Sequence, residues 1–347
     1  MTTRILSLAL LFCVLVFSLT DASAQNKRYG TAGASELLIP VGGRDVAMGN
    51  SGIATSKGVE ALYWNPAGVA RMNTSAEGMF SYMSYIADIK LSYVAVAGSF
   101  RGLGAFSFSL KTLSFGDIPL TTETDPEGIQ GRTYSPSYTT LSVGYSRALT
   151  DAIAAGFSAK LISERIDLVS ATGVAFDVGV QYRDVGGFKG VTLGVAVKNI
   201  GPQMAYDGPG LLRDATPAEG RRPQQKFSLT SAGFDLPSSV ELGLAYESPI
   251  GDQFIGTVDG VFANNNLAEN TYHFGGELGY LAERVQLFGR AGYSFQENND
   301  NDSYIYGATL GAGLVYMAPG IVVTVDYAWR DVDLFDANNI VSVKLGF

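Results

Sequence analysis

The side chains in this sequence that could do acid–base or metal chemistry are few, and their spacing does not favour it. His273 is the single histidine among 347 residues, so no second imidazole completes a metal pair. It falls in phase with Gly275 and Glu277, which reads as one polar face of a strand. No serine elbow accompanies it to make a His-based triad. Asn298-Asn299-Asp300-Asn301-Asp302 offers the oxygen ligands that calcium takes, but it lacks the spacing and terminal Glu of a calcium loop and reads as solvated loop. Asp331, Asp333 and Asp336 read the same way. Gly307 to Gly313 follows a strand pattern with no helix after it, so it is not a phosphate loop. No catalytic residue, metal or cofactor is expected, and the chain is not read as an enzyme.

The elements that carry these residues read as all-β. Only 16% of residues are charged, while glycine reaches 42 and the chain holds 18 Tyr and 19 Phe. From Glu77 onward, segments of about ten residues alternate with period two. Ile321, Val323, Val325, Tyr327 and Trp329 share one face; Thr324, Asp326, Ala328 and Arg330 share the other. Phe106, Phe108 and Leu110 oppose Ser107, Ser109 and Lys111 in the same way. A sandwich would also alternate, but its polar face would meet bulk water and carry more Lys and Glu. Here that face mixes Gly, Ser and Thr with Asp177, Arg183, Glu241, Glu247, Asp259, Glu277, Arg290, Asp326 and Arg330, as a confined polar lumen would. Fourteen strands are expected, with 190–206 and 224–247 each read as one strand, although Phe227–Tyr246 could be two. Tight turns alternate with longer segments near 114–137, 168–172, 207–223, 264–269, 296–303 and 332–339. That parity is the short-turn and long-loop asymmetry of an outer-membrane barrel. Tyr82, Tyr85, Tyr93, Tyr145, Tyr182, Tyr246, Tyr280, Tyr293, Tyr316, Tyr327 and Trp329 fall near strand ends; they fit aromatic girdles or ordinary β-propensity.

The two ends of the sequence agree with export to that membrane. Arg4, the apolar run Ile5 to Leu19 and Ala22-Ser23-Ala24 form a signal peptide over residues 1–24. Cys13 lies inside it, so the mature chain has no thiol for disulfide or catalysis. Residues 25–75 are expected to form a glycine-rich, partly helical plug in the lumen, with a periplasmic extension as the alternative, and residues 76–347 the barrel. Val341, Val343, Leu345 and Phe347 line one face of a last strand that must close on the strand near 77–86. Net charge is −9, which argues against nucleic acid as a partner.

Gly42-Gly43-Arg44-Asp45-Val46-Ala47-Met48-Gly49-Asn50-Ser51-Gly52-Ile53-Ala54, followed by Ala61-Leu62-Tyr63-Trp64-Asn65-Pro66-Ala67-Gly68-Val69-Ala70, resembles the N-terminal signature of the PorV/PorQ family of FadL-like barrels. Lys198-Asn199-Ile200-Gly201-Pro202 and Leu236-Pro237 are also similar to that family. The resemblance implies a fourteen-stranded outer-membrane barrel whose hatch carries Asn65, Pro66, Ala67 and Gly68. It implies that Phe347 is a signal read by the barrel-assembly machinery. For the family's best-known branch it implies type IX secretion or surface assembly, with exported cargo and other secretion components as partners. A FadL-like transporter of hydrophobic small molecules is the alternative. The expected state is a monomeric barrel in outer-membrane lipid. The longest loops carry Phe115, Ile118, Leu120, Tyr134, Leu211 and Leu212, apolar residues that could meet a protein partner.

Overall fold

The computed structural model describes residues 30–122, 124–215, 223–297 and 304–347. The signal-peptide reading and the Asn298–Asp302 run lie outside the described residues. In chain order the strands are β1 (Ala76–Ser84), β2 (Lys90–Phe100), β3 (Gly104–Ser114), β4 (Ile118–Pro119), β5 (Thr133–Tyr134), β6 (Ser137–Ala148), β7 (Ile153–Ile166), β8 (Val169–Arg183) and β9 (Val191–Ile200). They continue with β10 (Leu212–Ala215), β11 (Gln225–Ser228), β12 (Ser239–Ile250), β13 (Phe254–Asn265), β14 (Thr271–Leu281), β15 (Val285–Gln296), β16 (Tyr306–Ala318), β17 (Ile321–Val332) and β18 (Asn338–Gly346).

Fourteen of these close one antiparallel barrel, and β4–β5 and β10–β11 form two small ribbons in long loops. Closure runs through β1 and β18, with Tyr82 opposite Val341 and Gly78 opposite Leu345. The Phe347 amide donates to the Ala76 carbonyl at 2.9 Å, and its own carbonyl accepts from Ser75 at 2.7 Å. A closed sheet leaves no open edge, which lipid requires because it offers no hydrogen bonds.

The period-two pattern sorts as alternation demands. Phe106, Val178, Leu242 and Tyr327 are exposed on the outer face, while Ser107, Asp177, Gln181, Asp326 and Arg330 are buried inside. Tyr93 departs from the girdle assignment. It sits between Ser81 and Lys111 in register and is only 2% exposed. Its neighbours in phase, Leu91 and Ala95, also point inward and pack with Met79, Met83 and the hatch residues Ile39 and Val41. One arc of the lumen is therefore apolar.

The connections differ from expectation in three places. β7 and β8 continue to Ile166 and from Val169, so the 168–172 segment is a tight turn at Asp167-Leu168. The 190–206 strand ends at Ile200, where Asn199 takes φ 58° and Gly201-Pro202 follows. The 224–247 segment is two strands, β11 and β12, separated by a loop that holds Gly233 and Pro237, residues that interrupt a ladder.

The segment before the barrel lies in its lumen as short helical turns: Ser35–Leu38, Gly43–Ala47, Gly58–Glu60, Ala61–Trp64 and Pro66–Arg71. Its path runs from the long-loop rim, where the Gly30 amide donates to the Leu267 carbonyl at 3.1 Å, to the short-turn rim, where residues 72–75 enter β1. Val46, Ile53, Val59, Ala61 and Leu62 are buried against the wall, and the segment supplies about half of the main core cluster, the strands the rest.

Candidate functional site

Asn65 anchors the hatch to the barrel. It precedes Pro66, which disfavours the helical region, and it is extended at φ −150°. From there its Oδ1 accepts from the Ala67 amide at 3.1 Å and caps the turn Pro66–Arg71. Its Nδ2 donates to the carbonyls of Ile53 at 2.9 Å and of Val180 in β8 at 3.1 Å. The wall beneath is glycine. A Cβ on Gly179 would stand 2.0 Å from Asn65 Oδ1, and one on Gly156 would stand 2.4 Å from the Pro66 carbonyl carbon. Gly156 and Gly179 face each other in register, as do Gly194 with Gly243 and Gly275 with Gly292. Those other pairs lie under Ile53–Ala54 and under Met48–Gly49. Glycine in a strand costs packing, and here it lets a second backbone lie directly on the wall.

Charged side chains complete the attachment. Lys111 donates to the carbonyls of Glu36 and Ile39, each at 2.6 Å, and lies 4.9 Å over the Tyr63 ring. Arg71 reaches the Ala152 carbonyl at 2.6 Å. Arg44 pairs with Asp45 at 2.7 Å and with Glu277 at 3.1 Å; Arg290 then bridges Glu277 at 2.5 Å and Asp326 at 2.7 Å. Lys160 pairs with Asp177 at 2.6 Å, Lys198 with Glu241 at 3.1 Å, and Thr55 donates to Asp259 at 2.5 Å. Charges of both signs thus cancel locally, which suits attachment and gives no single-sign filter. Glu60 is buried in the hatch; burial and then the nearby Asp45 carboxylate push it up to about 8. Gly42, at φ 85°, makes room for it, since a Cβ there would stand 2.1 Å from Glu60 Oε1.

His273 has a holding role too. Its Nδ1 bonds Ser294 Oγ at 2.9 Å and its Nε2 bonds Thr271 Oγ1 at 3.1 Å, while Ser294 donates to the Gly49 carbonyl at 2.8 Å. Among the described residues no group of three or more His, Cys, Asp or Glu side chains is arranged to hold a metal ion.

The loop residues separate into two sets. Phe115 packs edge-on against Tyr138 at 4.8 Å and leans on the barrel core. Ile118 and Tyr134 face each other in the β4–β5 ribbon and, like Leu120 and Leu211, are half-buried. Leu212 is exposed at the base of the β10–β11 ribbon. More prominent apolar side chains on the same rim are Ile129, Leu168, Phe227, Leu229, Leu334 and Phe335, with Ile129 at 84% and Leu334 at 83% exposed. Sequence reading passed over these because they lie among polar loop residues with no periodicity. Lys198 and Asn199, noted in the sequence only for their likeness to the family, are an inward-pointing pair. A bulge in β9 sets both opposite the single residue Asp177 of β8 and lets both point into the lumen, where the Asn199 backbone amide donates to Asp177 at 2.8 Å.

Solved structures show the same architecture. A monoaromatic hydrocarbon channel, CymD, superposes with a TM-score of 0.57 at 13% identity, covering 89% of this chain and 98% of that one. The Pseudomonas putida toluene transporter TodX gives 0.56 at 12%, covering 89% and 99%. The Ralstonia pickettii toluene transporter TbuX gives 0.53 at 14%, covering 89% and 98%. At such identities the likeness is one of fold. No curated protein matches the sequence. Residues 22–221 match the family described as type IX secretion system protein PorV, so this chain, an outer-membrane β-barrel, belongs to the PorV family.

Proposed function

We propose that this barrel serves type IX secretion or surface assembly by receiving exported protein on its long-loop rim. The observation that carries this reading is the contrast between the two ends of the lumen path. The hatch is held along its length by Lys111, Arg44, Asn65 and Arg71, while the rim above presents Ile129, Leu229 and Leu334 to solvent. Exposed apolar side chains on a rim of charged loops are what a protein-binding surface presents. The PorV family match supports the same direction. In this role Phe347 acts as the signal for barrel assembly, residues 1–24 as the export signal and residues 25–75 as the hatch.

A second reading, passage of hydrophobic small molecules with a movable hatch, is favoured by the fold likeness to hydrocarbon channels. Affinity capture from gently solubilised outer membranes separates the two. Recovery of exported protein with secretion components is the expected result. Recovery of the barrel alone, together with saturable binding of toluene or a similar apolar ligand, would reverse the order of the two readings.

A further inference from the structure

The charges of this barrel are unevenly placed along its axis. On the long-loop rim, the described residues of segment 115–136 carry Asp117, Asp125 and Glu127 against Arg132. Those of segment 201–238 carry Asp207, Asp214 and Asp235 against Arg213 and Lys226. The other described loops of that rim add Asp88, Asp167, Glu269, Glu297, Asp333 and Asp336 and no base. Twelve acids thus stand against three bases among the described residues of the rim. The short turns at the other end are nearly balanced, with Asp151, Asp184, Asp252 and Glu283 against Arg101, Lys189 and Arg284. In the lumen between them carboxylates meet cations, as Glu277 meets Arg44 and Arg290. The acidic excess belongs to one end of the molecule.

Glu127, Asp214, Asp333 and Asp336 are exposed and form no ion pair among the described residues. Crowded like charges repel one another, and their summed field reaches beyond the loops. It turns away an anionic lipid surface or an acidic protein and draws in a cationic one. The apolar tips sit inside this field. Leu334 and Phe335 lie between Asp333 and Asp336, Leu168 follows Asp167, and Ile129 comes shortly after Glu127. Apolar anchors edged by carboxylates complement a protein face whose apolar side chains are edged by lysine and arginine. A metal ion fits less well, because no three of the described carboxylates are gathered to hold one and it would leave the apolar tips without a role.

We propose that the long-loop rim selects exported proteins that present a basic face with apolar side chains at its centre. This rests on the reading of the rim as a protein-binding surface and names the chemistry of the partner. Photo-crosslinking from Ile129 in intact cells, with adducts identified by mass spectrometry, tests it. Wild type is compared with a rim variant, Glu127→Gln with Asp214→Asn, Asp333→Asn and Asp336→Asn. A control removes acids from the short turns instead: Asp151→Asn, Asp252→Asn and Glu283→Gln. Each is checked for the folded barrel by heat-modifiable migration. Wild type and control should attach to exported proteins through segments rich in Lys and Arg, while the rim variant loses adduct yield on the order of tenfold. In isolated outer membranes the wild-type yield should also fall as salt rises from about 50 to about 300 mM, a reading that needs no variant. Undiminished yield from the folded rim variant, an equal loss in the control, or a yield indifferent to salt would overturn the basic partner and leave the rim a protein-binding surface. Absence of protein adducts from all three barrels would overturn that reading and this one together. Lipopolysaccharide adducts that vanish when divalent cations are chelated would assign the rim to lipid instead.

Discussion

Asn65 donates and accepts at once, and few side chains of its size could replace it. Asn65→Leu would leave the Ile53 carbonyl and the Ala67 amide without their partner in a dry interface. A loss of about 2–4 kcal/mol in unfolding free energy is expected. Asn65→Asp keeps the cap on Ala67 but turns a carboxylate toward the carbonyls of Ile53 and Val180, so it should be no better than leucine. Urea titrations of the folded-barrel band measure both. Glu60 gives the hatch a pH dependence. Its folded value, about 8, stands above the unfolded value of 4.5, so the folded state binds more protons between them. Stability from this group is fully present below 4.5 and is lost as pH rises through about 8. Glu60→Gln should flatten that decline, with a gain over wild type on the order of a few kcal/mol above it. Superimposable pH–stability curves for the two proteins would contradict this. At this scale the sequence was half legible. The inward phase of Asp177, Glu277 and Arg330 followed from alternation alone, whereas the pairing of Glu277 with Arg44, 233 residues away, leaves no local pattern.

At the level of elements, the glycine pairs Gly156–Gly179, Gly194–Gly243 and Gly275–Gly292 mark where hatch meets wall. Gly179→Val would drive a branched side chain into Asn65. We expect the barrel to close but the hatch to loosen, seen as protease cleavage within residues 30–71 that wild type resists. The same substitution at Gly289, which meets nothing within 4 Å, should leave the hatch protected. Phe347 belongs to another element, the seam. Its deletion removes the backbone bonds to Ser75 and Ala76, so surface insertion should fall while the few barrels that form keep wild-type loop contacts. Full insertion of the truncated chain would refute the assembly role proposed for it. Strand number, direction and closure could be read from periodicity and loop parity because lipid on one side and a polar lumen on the other force strict alternation. Loop boundaries could not. The turn at Asp167-Leu168 and the split of 224–247 depend on pairings across the barrel that turn residues alone do not reveal. The hatch segment stood out only by its lack of alternation; its path along the lumen follows from contacts with many different strands.

For the whole molecule, a sealed seam, a tethered hatch and an apolar-tipped outer rim support one proposal: protein is met at the rim, and the hatch stays in place. The net charge of −9 and the mixed lumen charges fit no simple ion filter, and the chain belongs to the PorV family. The most direct test is site-specific photo-crosslinking in intact cells, with the reactive group at Ile129 or Leu229 on the rim and at Phe254 on the opposite, short-turn side. The account predicts adducts with exported protein from positions 129 and 229 and none from 254. Rim positions that capture no protein, in cells that take up an apolar compound through this barrel, would contradict it.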